Sequence, residues 1–319
     1  MTRTGGAPGA DGRGVAGALG LGWLMVSTSA VVIVLAAPVP PLVVAAGRVA
    51  VTALLWCAIA ALRSAPAPLH ASGHVPHGRI VLSGVLLGAH FAAWIASLSL
   101  TSVAHGAVLV ALQPLFAGLF GLMLGDRPPL VRLALGVAVA GGGTLLMATA
   151  GEATEGTSFV GDALAVLAGA LSALYLTINR GIGGALPLGS LLARVNGVAA
   201  LFIALLVPVF GGGWWHPAAE PLTHGAAIVW LGLGPGLVGH GLMNWAARRV
   251  PVHVVSLVVL LEPIGAALLA WFVLGQRFGA REALGAALLL AGAGLASARG
   301  RSSPGADGPT GEPADPGAG

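Results

Sequence analysis

Arg48, Arg194, Glu262, His90 and His240 stand inside stretches otherwise made of Ala, Val, Leu and Gly. A guanidinium in hydrocarbon costs ~2.5–3.5 kcal/mol on insertion scales, so such residues mark functional sites or helix contacts. Arg48 lies in PLVVAAGRVAVTALL (41–55) and Arg194 in PLGSLLARVNGVAAL (187–201), each at the same interval after a Pro-Leu start. Guanidinium forks suit the carboxylate or phosphate of a bound solute. The structural alternative is snorkelling, or a pair with a carbonyl or Glu262. Glu262 directly precedes Pro263, and a proline removes one helix donor and frees an earlier carbonyl. A carboxyl at a helix break reads either as a cavity-facing proton carrier or as a structural group bonded to neighbouring helices. Gln113, before Pro114, occupies the matching place and cannot titrate.

His90, Trp94, His240, Asn244 and Trp245 recur in paired stretches and are the lining candidates, joined by Tyr175, Thr177 and Asn179. An aromatic wall suits apolar or cationic solutes. The competing readings are hydrogen-bonded core histidines and tryptophan anchors at the membrane boundary. GLGPGLVGHG (232–241) combines small residues that permit close helix packing with Pro235 as a hinge. Pro114, Pro235 and Pro263 are thus the expected helix breaks. His70, His74 and His77 are spaced like ligands, but Gly73 and Pro76 oppose the helix that would align them. No metal and no cofactor is expected. No HExxH, GxSxG or P-loop stands in a suitable context, so the chain is read as no enzyme and no ATPase. The alternatives are an intramembrane enzyme acting on lipid or peptide, which needs paired catalytic groups at one depth, and a channel or non-transporting scaffold.

The elements that position these residues follow from composition. Of 319 residues, 56% are hydrophobic and 8% charged, against about 25% charged in soluble domains. A membrane span needs roughly 20 apolar residues. Hydropathy and breakers place spans at 15–37, 41–62, 79–99, 102–124, 130–149, 160–180, 187–209, 224–246, 252–274 and 280–298. Residues 1–14 and 299–319 are expected to be disordered tails. Cys57 stands alone, which excludes a disulfide framework. The 15 basic residues are all arginine and scattered singly, so topology explains them better than nucleic-acid binding. With both termini cytoplasmic, Arg277 and Arg281 are the loop arginines left outside. Absent lysine and abundant Ala and Gly suggest a GC-rich bacterial genome, hence a plasma-membrane location.

The chain also repeats itself. SVAHGAVLVALQPLFAGLFGLMLGDR (102–127) aligns with PVHVVSLVVLLEPIGAALLAWFVLGQR (251–277), and Pro114 precedes Pro263 by 149 residues. GAHFAAW (88–94) resembles VGHGLMNW (238–245). Two halves of five spans each, 15–149 and 160–298 with a linker at 150–159, enter the membrane from opposite sides because five is odd. The expected fold is all-α: a polytopic membrane protein of ten transmembrane helices as two inverted five-helix repeats.

LVALQPLFAGLFGLMLGDR, its twin VVLLEPIGAALLAWFVLGQR, NWAARRVPVHVVS (244–256) and GDALAVLAGALSALYLTINR (161–180) together resemble the drug/metabolite transporter superfamily, specifically its EamA-type carriers. The resemblance covers nearly the whole chain except the tails. It implies ten helices around a central cavity and alternating-access transport of a small organic solute, such as an amino acid or drug-like compound, often outward. The lipid bilayer is then a partner, a proton is a candidate coupling ion and a homodimer a candidate assembly. The chain departs from the family pattern where an acidic residue follows each Leu-Gly: Asp126 stands in the first half but Gln276 in the second.

Overall fold

The computed structural model describes residues 10–62, 77–123, 130–148, 158–180, 182, 186–210, 213–214, 216–246, 258, 261–277 and 279–297. Every regular element among them is helical. In chain order these are α1 (Ala10–Leu35), α2 (Pro41–Leu62), α3 (His77–Ser97), α4 (Val103–Val110), α5 (Gln113–Met123), α6 (Leu130–Ala148), α7 (Phe159–Arg180), α8 (Leu188–Phe210) and α9 (Pro221–Leu231). A π segment (Gly232–Gly239) follows, then α10 (His240–Ala246), α11 (Glu262–Leu274) and α12 (Ala280–Ser297). Among the described residues, six helices are long and apolar enough to cross a membrane: Arg13–Leu35, Pro41–Leu62, His77–Ser97, Phe159–Asn179, Leu188–Phe210 and the composite Pro221–Ala246. Helices satisfy backbone polarity within the segment, which is why apolar runs of this length fold as they do in lipid. The chain is an all-helical integral membrane protein.

Two helices break where a polar residue meets a proline. At the first break, Leu112 N–H donates to Leu109, and the Leu112 carbonyl accepts from Leu115 and Phe116. At the second, Leu261 N–H donates to Val258, and the Leu261 carbonyl accepts from Ile264 and Gly265. Each of these residues lies 149 after its counterpart. The same Gln/Glu-Pro signal therefore produces the same local backbone twice, with Gln113 opening α5 and Glu262 opening α11. The third break is of another kind. Pro235 sits within the π segment, and the buried Thr52 hydroxyl hydrogen-bonds to the carbonyls of Arg48 (2.9 Å) and Gly232 (3.1 Å). A side chain from α2 thus ties that helix to the first residue of the π segment.

Packing is pairwise. The helix contacts are α6 with α12, α2 with α8 and the π segment, α3 with α7 and α8, α1 with α10 and α11, and α4 and α5 with α7. Small residues set the α6–α12 distance. A Cβ on Gly143 would stand 2.5 Å from the Gly285 carbonyl oxygen, and one on Gly292 would stand 2.5 Å from the Gly136 carbonyl oxygen. Positions 136 to 143 thus meet 292 back to 285, so α6 and α12 run antiparallel. Close backbone approach through glycine is how helices associate in lipid, which offers no hydrophobic drive.

Candidate functional site

Arg48 is 1% exposed and occupies the interior of the bundle rather than its lipid face. On α2 it shares a face with Val44, Ala45, Val49 and Thr52, all buried. Nη1 donates to Ser29 Oγ of α1 at 2.8 Å. Nη2 lies 3.4 Å from His240 Nε2. A guanidinium only donates, so His240 Nε2 must accept and carry no proton. The Phe91 ring lies 4.2 Å from Arg48 Cζ and the Trp94 indole 5.5 Å, which is cation–π range. Glu262 interacts electrostatically with Arg48, yet among the described residues no carboxylate comes within ion-pair distance of the guanidinium.

The α3 stretch HFAAW contributes the aromatic wall. His90 Nδ1–H donates to the Ala168 carbonyl of α7 at 2.8 Å. Its ring lies parallel to Trp94 at 6.3 Å, one helical turn on. Phe91 stands edge-on to His240 at 6.4 Å. His90 and Trp94 are buried, whereas His240 remains exposed although it touches buried Arg48 and Phe91. Three buried donors around this centre have no partner among the described residues: Trp94 Nε1, Ser27 Oγ and Trp23 Nε1. Trp23 and Ser27 of α1 both face Gly265, one turn after Glu262. Unsatisfied buried donors in lipid are costly and call for a polar occupant, water or solute.

Other expected positions lie elsewhere. Arg194 is exposed on α8, where the buried polar residue is Asn196, bonded to its own helix through the Leu192 carbonyl at 2.8 Å. Trp245 packs on a separate cluster with Val15, Leu19 and Met243. Asn244 donates to the His240 carbonyl of its own helix at 2.8 Å. Gln113 accepts from Ser172 Oγ of α7 at 3.0 Å. Tyr175 is buried in the main core, with Asn179 Nδ2 3.5 Å from its hydroxyl. Thr177 donates to the Ala173 carbonyl of its own helix. His77 is exposed at the start of α3, while His70 and His74 lie outside the described residues, as do both expected tail ends and the 150–157 part of the linker. Sequence reasoning missed Ser29, Phe91, Ser27 and Trp23, because nothing in their spacing separates them from ordinary core. It also missed a His105–Asp162–Glu282 group at one end of the bundle, in which His105 and Glu282 are buried.

An apolar helix bundle with a charged, hydrogen-bonding interior is the construction of a membrane transporter. Residues 159–298 match the EamA-like transporter family, in agreement with the drug/metabolite transporter resemblance of the duplicated motifs. A curated relative from Archaeoglobus fulgidus, described as an uncharacterized transporter, is 24% identical over 223 residues, 69% of this chain and 75% of that protein. A solved structure titled only as the crystal structure of a protein superposes with a TM-score of 0.62 at 21% identity, covering 89% of this chain and 96% of that one. That likeness bears on the fold alone.

Proposed function

We propose that this protein is a secondary transporter that exports a small organic solute from the cell by alternating access. Ten membrane helices form two inverted repeats, residues 15–149 and 160–298, in a bacterial plasma membrane with both termini cytoplasmic. The inversion is supported by the antiparallel pairing of α6 with α12, equivalent helices that would run parallel if the repeats shared one orientation. The helix contacts support it too, since exchanging the halves converts the α1–α10 contact into α3–α7 and the α1–α11 contact into α5–α7. Residues 1–9 and 299–319 serve as tails and 150–158 as the linker, since α1 already begins at Ala10 and α7 at Phe159.

The observation that carries the reading is Arg48, buried between aromatic rings beside unsatisfied donors and held apart from Glu262. Its hydrogen-bond partners among the described residues are Ser29 and His240, and a guanidinium has five N–H donors. The remaining donors suit a solute carboxylate, Glu262 suits an ammonium, and Phe91 and Trp94 cover the hydrocarbon part. An amino acid or a similar zwitterion meets all three. Pro235 and the π segment serve as the hinge on which one half moves, with Pro114 and Pro263 terminating the half-helices around the site.

A comparison of metabolites in medium and cytosol, with and without overexpression, identifies the solutes to load into proteoliposomes. Saturable counterflow of a labelled solute is expected in the parent protein, with at least a tenfold loss in Arg48→Met. Counterflow that is absent, or unchanged in Arg48→Met, removes the reading. Flux under an imposed pH gradient in Glu262→Gln then decides whether that carboxyl carries the coupling proton; unchanged coupling assigns it a structural role.

A further inference from the structure

At the end of the bundle where α4, α7 and α12 begin, His105 stands between two carboxylates. It is 1% exposed. Nε2 lies 3.1 Å from Glu282 Oε1 of α12. Nδ1 points at Asp162 Oδ1 of α7 at 3.5 Å, too far for a hydrogen bond, and is a buried atom without a partner. Glu282 is itself fully buried, and its Oε2 accepts the Gly279 N–H at 2.6 Å. Asp162 also accepts from Thr101 Oγ1 at 2.8 Å. Gln276 Oε1 accepts the Val103 N–H at 3.1 Å, and Ser102 Oγ caps α4 through the His105 N–H at 3.2 Å. Three helix starts from both halves of the chain are thereby tied to one imidazole.

We propose that His105 is a proton-binding site that latches this end of the bundle. A neutral imidazole has one N–H and one lone pair, so whichever tautomer it adopts, one nitrogen turns a lone pair towards a carboxylate oxygen. Only the doubly protonated ring donates in both directions. The bound proton then holds α7 and α12 against α4, and its loss replaces one attraction by repulsion and lets the three starts separate. No other described carboxylate or cation competes for the ring. Arg281 and Arg277, on α12 and the turn before it, are exposed. On the remaining neighbours of α4, Glu262 opens α11 at its far end, His90 sits at mid-helix on α3, with His77 and Arg79 at its start, and Arg13 and Arg180 belong to the opposite ends of α1 and α7. Both carboxylates sit in the first turns of their helices. The ligand of this site is the proton. Its consequence for the transport cycle rests on the transporter reading, but the site and its test do not.

The test uses the full chain in nanodiscs without solute. In a Cys57→Ala background, Val103→Cys places a thiol at a position that is fully buried beside the latch, and Leu100→Cys supplies an exposed reference at the same end. Maleimide labelling of the first relative to the second is followed from about pH 5 to about pH 8, the interval in which histidine titrates. The ratio is expected to rise at least fivefold across that interval in the parent and to be high and flat in His105→Gln. Nitrogen-15 spectra of labelled histidines should show one ring, absent in His105→Gln, that passes from two N–H groups to one over the same interval. Where His105→Gln does not fold, Asp162→Asn serves in its place and should change the profile of that ring. A ring that keeps one N–H throughout, or a labelling ratio independent of pH in the parent, overturns the proposal. Failure of counterflow with the latch intact counts against the transporter reading and leaves the latch standing.

Discussion

The α6–α12 seam allows the repeat to be tested by single atoms. A Cβ at Gly143 would lie 2.5 Å from the Gly285 carbonyl oxygen and 2.6 Å from the Leu289 nitrogen, whereas ordinary contact begins at 3.4 Å. Both obstacles are backbone, so the helices must separate locally by about 0.9 Å, enough to forfeit a quarter to a half of the dispersion well at each lost contact. Overpacking of this kind costs about 1–3 kcal/mol. Gly142, next in sequence, has nothing within 4 Å of its would-be Cβ. Gly142→Ala should therefore be neutral or stabilising by about 0.4–1 kcal/mol, through the helix-propensity and unfolded-state gain common to both substitutions. Gly143→Ala should then fall below Gly142→Ala by about 1–3 kcal/mol, measured as unfolding in mixed detergent micelles. Gly292 meets Gly136 and Ala140 as Gly143 meets Gly285 and Leu289, so Gly292→Ala should match Gly143→Ala. The double variant should cost less than the sum, because one displacement admits both methyl groups. Equal stability of Gly143→Ala and Gly142→Ala would refute the packing face, and unequal effects at 143 and 292 would refute the equivalence of the two helices.

Other substitutions probe the centre. Arg48→Met removes the guanidinium that is bonded to Ser29 and faces Phe91 and Trp94 and should destabilise by about 1–3 kcal/mol, with Arg48→Met/Glu262→Gln recovering about 1 kcal/mol relative to additivity in the same unfolding assay; strict additivity would separate the two charges. Arg48→Lys keeps the charge but loses the planar stack on Phe91 and Trp94 and the fork for a carboxylate, so solute counterflow should fall at least tenfold while the protein still folds. Thr52→Val removes the hydroxyl bonded to Arg48 and Gly232 and should cost about 1 kcal/mol by thermal denaturation in detergent. Arg194→Ala, on an exposed face, should change stability by less than about 0.5 kcal/mol in that measurement.

The amino-acid sequence on its own determined the environment and the helices. With 56% hydrophobic and 8% charged residues, no water-facing surface could be built, and α2, α3, α7, α8 and α12 lie within a residue or two of the spans read from hydropathy and breakers. The breaks at Gln113-Pro114 and Glu262-Pro263 were legible because proline acts locally, through its missing donor and ring. What a side chain faces was not legible. Arg48 and Arg194 share a motif and a register after proline, yet one is enclosed by Ser29, His240, Phe91 and Trp94 and the other is exposed. His105, Asp162 and Glu282 are scattered along the chain and only meet where three helices start together. Such choices depend on which helix face turns inward, and in a chain this uniformly apolar the hydrophobic periodicity that reports orientation in soluble helices is nearly absent. Glycine contacts and helix pairing set the rotation of each helix, and those exist only in the tertiary structure.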